Sequence, residues 1–349
     1  MPKSKNSSSE KKAVRGITTR VRAALENTAR QLQLSADGLP IASGEKPINV
    51  VVAFSGGLDS SVLLYAASQL KGKSYGEITA VHVHHGLSKH ANEWAEFCAE
   101  RARKYGVNFV LRKVTVPSGG AGFEAEARQL RYAVLEEEAK KAGADAILTA
   151  HHLDDQLETF LIQWMRGAGP AGLAAMPPLL RKDGCTIMRP LLGFQRAELE
   201  RFAEIRGIKW IEDESNEDTK YLRNAIRHNI IPELEKIRPG FKAAAARSVE
   251  LIAEAAETLR DVAEDDFKQA SENEGKYLRI EDFLALPAGR RARVLRLWLD
   301  DLSFAFRSAL NLYRGSASLK SFDRSKKRPS RVSASCFPMV WRFGNTVPA

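Results

Sequence analysis

The chain of 349 residues alternates short apolar runs with longer stretches of helical period. Ile48–Phe54 (INVVVAF) is continuous, apolar and β-branched, the composition of a strand buried on both faces. Ile78–His84, Asn108–Val116 and Ala146–Thr149 repeat that signal. Between them lie segments of helical pattern: VLLYAASQL after Ser61, Asn92–Tyr105, Glu124–Ala142 and Asp154–Arg166. The last of these carries Leu157, Phe160, Leu161 and Trp164 on one side. Alternation at this spacing predicts an α/β, Rossmann-like fold: a doubly wound parallel sheet whose ligands lie beyond the carboxyl ends of the strands.

After Lys220 the strand signal stops. Tyr221–Ile237, Pro239–Glu274 and Arg290–Asp300 read as helices, with Pro232 and Pro239 as breaks. The expected organisation has four parts. Residues 1–47, Ser/Lys-rich and weakly helical from Thr18 to Leu34, form a flexible basic extension outside the main fold. Residues 48–218 form the α/β catalytic domain, and 219–300 a smaller helical domain. Residues 301–349 lose any amphipathic period and read as a divergent basic tail, truncated or out of frame.

A hydrophobic fraction of 44% is that of an ordinary globular protein and excludes global disorder. Cys98, Cys185 and Cys336 are far apart and form no CxxC pair, which argues against a structural metal or Cys-ligated cluster. Sparse cysteines, and an N-terminus MPKSKNSSSEKK without an apolar core, predict a cytoplasmic protein with reduced thiols. No apolar run is long enough to span a bilayer, so no membrane partner is expected. The net charge of +10 invites a polyanion. However, residues 1–47 contribute +5 and residues 301–349 contribute +7, leaving 48–300 at −2. The informative charge is local: Lys220–Arg247 holds seven basic residues against two acidic ones.

Ser55-Gly56-Gly57-Leu58-Asp59-Ser60 joins the first strand to a helix. Two glycines let backbone N–H groups approach an anion closely, and the helix N-terminus adds its dipole. Asp59 repels a phosphate directly, so a Mg²⁺ between carboxylate and phosphate reconciles the two. The pattern is neither GxxxxGK[ST] nor GxGxxG. Five of the seven histidines, His82, His84, His85, His151 and His152, fall at strand carboxyl ends. Asp154 is expected to cap the helix that follows. Asp155 and Glu158, spaced i, i+3, share one of its faces and call for a cation, either Mg²⁺ or a substrate ammonium.

SGGLDS resembles the PP-loop of N-type ATP pyrophosphatases, which cleave ATP to AMP and pyrophosphate. Its combination with HHLDDQLETFLIQWMRGAG, VHVHHGL, FEAEARQLRY, RPLL, IEDESN and YLRNAIRHNIIPEL resembles the tRNA(Ile)-lysidine synthase family over roughly residues 48–300. His84 departs from it, standing where that family usually has Asn. The resemblance implies a ligase that uses ATP and Mg²⁺ to join free L-lysine to the wobble cytidine of the isoleucine tRNA with a CAU anticodon, through an adenylated cytidine. It implies ATP binding by Ser55, Gly56, Gly57, Leu58, Asp59 and Ser60, with Asp59 also the Mg²⁺ partner. Asp155 and Glu158 would hold the lysine ammonium, and His151 and Arg128 would act catalytically. Arg223, Asn224, Arg227 and His228 would contact tRNA, and His85, Glu124, Arg131 and Asp154 are further candidates. A base-thiolating PP-loop enzyme would need paired cysteines, and a small-molecule amidating synthetase a nitrogen-donor domain. A catalytically dead RNA-binding module would not need the full motif set.

Overall fold

The computed structural model describes residues 6–33, 46–84, 90–115, 123–182, 185–213, 219–272 and 277–299. His85 and the expected basic tail lie outside them. The chain divides into two units, Met1–Leu259 and Arg260–Ala349.

The first unit is built on six strands: β1 (Ile48–Ala53), β2 (Tyr75–His84), β3 (Asn108–Lys113), β4 (Ala146–Leu148), β5 (Leu179–Lys182) and β6 (Cys185–Met188), in the order β3-β2-β1-β4-β6-β5. β3, β2, β1, β4 and β6 run parallel, and β5 returns antiparallel along β6. The doubly wound sheet expected from the alternation is present, with an antiparallel edge that the alternation does not announce. Strand order runs outward from β1 through β2 and β3 on one side, and through β4 on the other. The β1/β4 boundary is therefore the switch point where a crevice opens.

Helices α1 (Asn6–Leu32), α2 (Leu58–Ser68), α3 (Ala91–Lys104), α4 (Phe123–Lys141), α5 (Leu153–Met165), α6 (Pro170–Leu173) and α7 (Arg196–Arg206) surround the sheet. Alternation along β1 explains the two layers. Val50 and Val52 join one core with Leu63 and Leu64 of α2, while Val51 joins the other with Leu135 and Ala139 of α4. Helix α1 corrects the expected flexible extension. Its Ile17, Val21, Leu25 and Ala29 are buried in the first core, and the Tyr75 hydroxyl donates to the Leu25 carbonyl at 2.9 Å. Four apolar residues at i, i+4 spacing make one stripe, and that stripe outweighs a polar composition.

The helical region also departs from expectation. α8 (Leu222–Ala225) runs through a π-helical turn (Ile226–Ile230) into α9 (Ile231–Ile237), and α10 spans Phe241–Ala270. Pro232 does not break the chain. It sits in the first turn of α9, where its missing N–H costs nothing, and the wider π turn precedes it. Ile226, Ile231 and Ala245 share a core with Leu157 and Leu161 of α5, so the helices after residue 218 pack on the α/β part. In the second unit β7 (Ser271–Glu272) and β8 (Tyr277–Leu278) form a small antiparallel pair, so the strand signal does not end at Lys220. α11 (Ile280–Ala285) and a helix at 288–299 follow, and Arg290 Nε pairs with the buried Asp266 Oδ2 at 2.7 Å. No helix among the described residues is long and apolar enough to cross a membrane.

Candidate active site

The strand–helix turn after β1 is tightly closed. Gly56 has φ +91°, and a Cβ there would stand 2.9 Å from both Cys98 Sγ and Ile211 Cδ1. Only glycine fits. The Gly56 N–H donates to Ser60 Oγ at 3.2 Å and the Gly57 N–H to Ser55 Oγ at 3.4 Å, and the two hydroxyls lie 3.0 Å apart. Backbone donors thus converge on serine oxygens, which hold the positions an anionic oxygen would take. Asp59 sits in the first turn of α2. Its Oδ1 is buried without a hydrogen-bond partner, and its Oδ2 lies 3.6 Å from His152 Nε2 and 3.5 Å from Arg196 Nη1.

Across the switch point, β4 delivers His151 and His152. His152, not Asp154, caps α5. Its Nδ1 accepts from the Asp155 N–H at 3.4 Å, and Asp155 Oδ2 accepts from the His152 N–H at 3.1 Å. Asp154 instead ties elements together, accepting from the Arg196 N–H at 2.8 Å and from Lys242 Nζ at 2.6 Å. Burial opposes ionisation of Asp154, but these donors outweigh it and lower the carboxyl below its usual range. Burial also works against a charged His152. The Asp59, Asp155 and Asp154 carboxylates outweigh it and raise the imidazole above its ordinary value. His151 goes the other way. Burial, reinforced by the guanidiniums of Arg189, Arg128 and Arg131, depresses it to about 3 despite Asp155. Its Nδ1 lies 3.0 Å from Thr149 Oγ1.

Asp155 and Glu158 do share a face, and they have a cation. Arg227 Nε donates to Glu158 Oε1 at 2.6 Å and Nη2 to Oε2 at 3.1 Å, while Nη2 also reaches Asp155 Oδ1 at 3.4 Å. Arg223 Nε stands 3.5 Å from Glu158 Oε2, and its Nη2 donates to Thr159 Oγ1 at 3.0 Å. Glu158 is fully buried, and burial raises its carboxyl even against Arg227. This bears on the expected tRNA-contacting residues. The shared i, i+4 face of Arg223 and Arg227 turns inward onto α5, Asn224 is buried, and His228 is exposed. Two oppositely charged pairs with helical spacing satisfy one another, a match the sequence carries but that neither helix reveals alone.

Arg128 and Arg131 on α4 both stack on the Tyr132 ring, with guanidinium carbons 5.6 and 5.9 Å from its centroid. Glu124 falls in the first turn of α4. The other strand-end histidines part ways: His82 is buried with Nδ1 2.9 Å from the Phe54 carbonyl, and His84 has a buried, unpartnered Nε2. Sequence reasoning missed Arg196 and Lys242 as partners of Asp59 and Asp154. It also missed Arg189, which follows β6; its place just past a strand's carboxyl end is the signal that could have found it.

This fold, with an anion-receptive turn after β1 and an acidic helix after β4, defines a nucleotide-processing α/β domain. The PP-loop domain model matches residues 24–234, and the chain belongs to that family. Among curated proteins, the tRNA(Ile)-lysidine synthase of Burkholderia mallei is 42% identical over 290 residues, covering 82% of this chain and 59% of that protein. The tRNA(Ile)-lysidine synthase of Shigella flexneri is 42% identical over 251 residues, covering 72% of this chain and 57% of that protein. The chain thus spans less than two thirds of the length of these relatives. A solved U34-tRNA thiolase from Methanococcus maripaludis, bearing its 4Fe–4S cluster, superposes with a TM-score of 0.54 at 18% identity, covering 69% of this chain and 79% of that one. That likeness concerns the fold alone.

Proposed function

We propose that the chain is an ATP-dependent ligase that joins free lysine to C2 of the wobble cytidine of a CAU-anticodon isoleucine tRNA, in the cytoplasm. The observation that carries this reading is the pairing, across one switch point, of an anion-receptive turn with an acidic face that already holds a guanidinium. A site that accepts a cation and a polyphosphate side by side suits an amine attacking an adenylated carbon. The two relatives named above support the choice of substrates.

In the first step the cytidine 2-oxygen attacks the α-phosphorus of ATP and pyrophosphate leaves. The Gly56 and Gly57 N–H groups, released from Ser60 and Ser55, would receive its oxygens. The orphaned Asp59 Oδ1 fits a Mg²⁺ ion that shares its shell with phosphates and water, and such an ion would neutralise phosphate charge there. In the second step the lysine ε-amine attacks C2, AMP leaves, and the amine loses its protons as the amidine forms. The ammonium has an ordinary pKa of about 10.4, so it needs an acceptor. Asp155 is the accessible member of the pair, whereas Glu158 is fully buried under Arg227. We assign Asp155 the first contact with the ammonium and Glu158 the task of holding Arg227 beside it. His151, neutral at working pH, is a hydrogen-bonding group rather than a charged one. With Arg223 and Arg227 turned inward, the exposed Arg238 and Arg247 are side chains of this region that would face RNA phosphates.

Product analysis tests the reading. With lysine and a CAU transcript, ATP should yield AMP and pyrophosphate. ADP and inorganic phosphate as products would overturn it.

A further inference from the structure

The mechanism above leaves one buried group without a task. Arg189 is 6% exposed, and one edge of its guanidinium is used, Nη1 donating to the Pro177 carbonyl at 2.6 Å. Its Nε is buried with no partner. The buried Tyr132 hydroxyl lies beside this guanidinium, close enough to interact with it. Around the same Tyr132 ring stand Arg128 and Arg131. Among the described residues none of the three arginines has a carboxylate within ion-pair distance, unlike Arg223 and Arg227 a few residues away on the acidic face. Three guanidiniums converging with no carboxylate in ion-pair contact among the described residues, and with the Arg189 Nε donor facing no acceptor, are costly unless an anion joins them.

We propose that Arg189 and Tyr132 complete, with Arg128 and Arg131, an anion pocket beside His151 that receives an anionic oxygen group of a substrate. It rests on the ligase reading, which offers two sources for such a group: the nucleotide's α-phosphate and the amino acid's carboxylate. A planar guanidinium with a free edge suits either, in the bidentate manner that lysine's ammonium cannot reproduce. Arg189 stands at the end of β6, two strands from the turn after β1, so the pocket is separate from the pyrophosphate cradle. The positive field of these arginines adds to burial in lowering the basicity of His151.

Calorimetry on the full chain, without RNA, tests this with two ligand pairs: AMP against adenosine, and lysine against lysinamide. In Arg189→Lys, with thermal stability checked, at least one pair should lose its discrimination. AMP binding weakened tenfold with adenosine unchanged identifies the phosphate. Lysine weakened tenfold with lysinamide unchanged identifies the carboxylate. A role confined to holding the Pro177 carbonyl would shift both members of a pair together and overturn the proposal, as would unchanged binding of all four. Should Arg189→Lys fail to fold, Tyr132→Phe decides, since it removes only the hydroxyl: a threefold or greater loss for one anion supports the pocket, and unchanged binding overturns it. Because these are binding measurements, a chain that bound AMP selectively yet transferred no lysine would refute the ligase reading and leave the pocket standing.

Discussion

Arg227 grips Glu158 along both edges of its carboxylate, Nε to Oε1 at 2.6 Å and Nη2 to Oε2 at 3.1 Å, and Glu158 is fully buried. The pair joins the π turn to α5 and sets the charge of the acidic face. A buried ion pair gains little over a hydrophobic pair of equal shape, but losing one partner strands the other. Arg227→Met should therefore destabilise the protein by about 3–5 kcal/mol. Arg227→Met combined with Glu158→Leu should recover most of that loss. Urea unfolding of the full chain measures both, and equal destabilisation in single and double variants would contradict the pairing.

The turn after β1 distinguishes its two glycines. At Gly56 a methyl group meets Cys98 and Ile211 at 2.9 Å in a left-handed conformation, whereas at Gly57 the nearest atom is 3.6 Å away. Gly56→Ala should cost about 1–3 kcal/mol from overpacking and lose ATP binding. Gly57→Ala should fold within about 1 kcal/mol of the wild type. Thermal unfolding with and without ATP checks the contrast, and equal tolerance at both positions would contradict the close approach at Gly56.

Adjacent histidines should titrate in opposite directions. His151, depressed to about 3, releases its proton on folding, so its contribution to stability is present above pH 6.5 and is lost as pH falls toward 3. His152 is raised, so its contribution is present below pH 6.5 and is lost as pH rises through its folded value. Imidazole NMR signals should show His151 neutral from pH 8 to pH 5 while His152 gains its proton above 6.5. Removing His151 with Asn should flatten the loss of stability between pH 6.5 and 3. A normal titration for both rings would contradict the guanidinium field at His151.

The N-terminal helix belongs to the core. Leu25 is fully buried, and its carbonyl receives the Tyr75 hydroxyl. Leu25→Ala should cost about 2–5 kcal/mol, as a large core truncation does. An effect under about 0.5 kcal/mol, the range of ordinary surface changes, would restore the flexible extension.

Much of this was legible in the sequence because β1, β2 and β4 are buried on one or both faces and declare themselves by composition, while the edge strand β3 is only partly buried. β5 (LLRK) and β6 (CTIM) are four residues each and mix polar with apolar side chains, so composition does not mark them as the all-apolar AIL marks β4. Helix α1 had its signal in Ile17, Val21, Leu25 and Ala29, but the Ser/Lys-rich composition around it hid that stripe. The turn at Ser55–Ser60 and the shared face of Asp155 and Glu158 were readable from local spacing. That Arg223 and Arg227 neutralise that face was not, since it depends on how α5 meets α8 and the π turn, in contacts 64 and 69 residues apart along the chain. Arg189 and Tyr132 escaped for the same reason: a single Arg after a strand acquires meaning only from the helix across the cleft.

The central claim is that the acidic face serves an amine while the glycine turn serves ATP. Radiolabelled lysine offered with ATP and tRNA transcripts tests it most directly. Label should enter the isoleucine transcript with a CAU anticodon and not the elongator methionine transcript, and Asp155→Asn should raise the lysine concentration required. No label in any transcript, or transfer that ignores Asp155→Asn, would contradict the account.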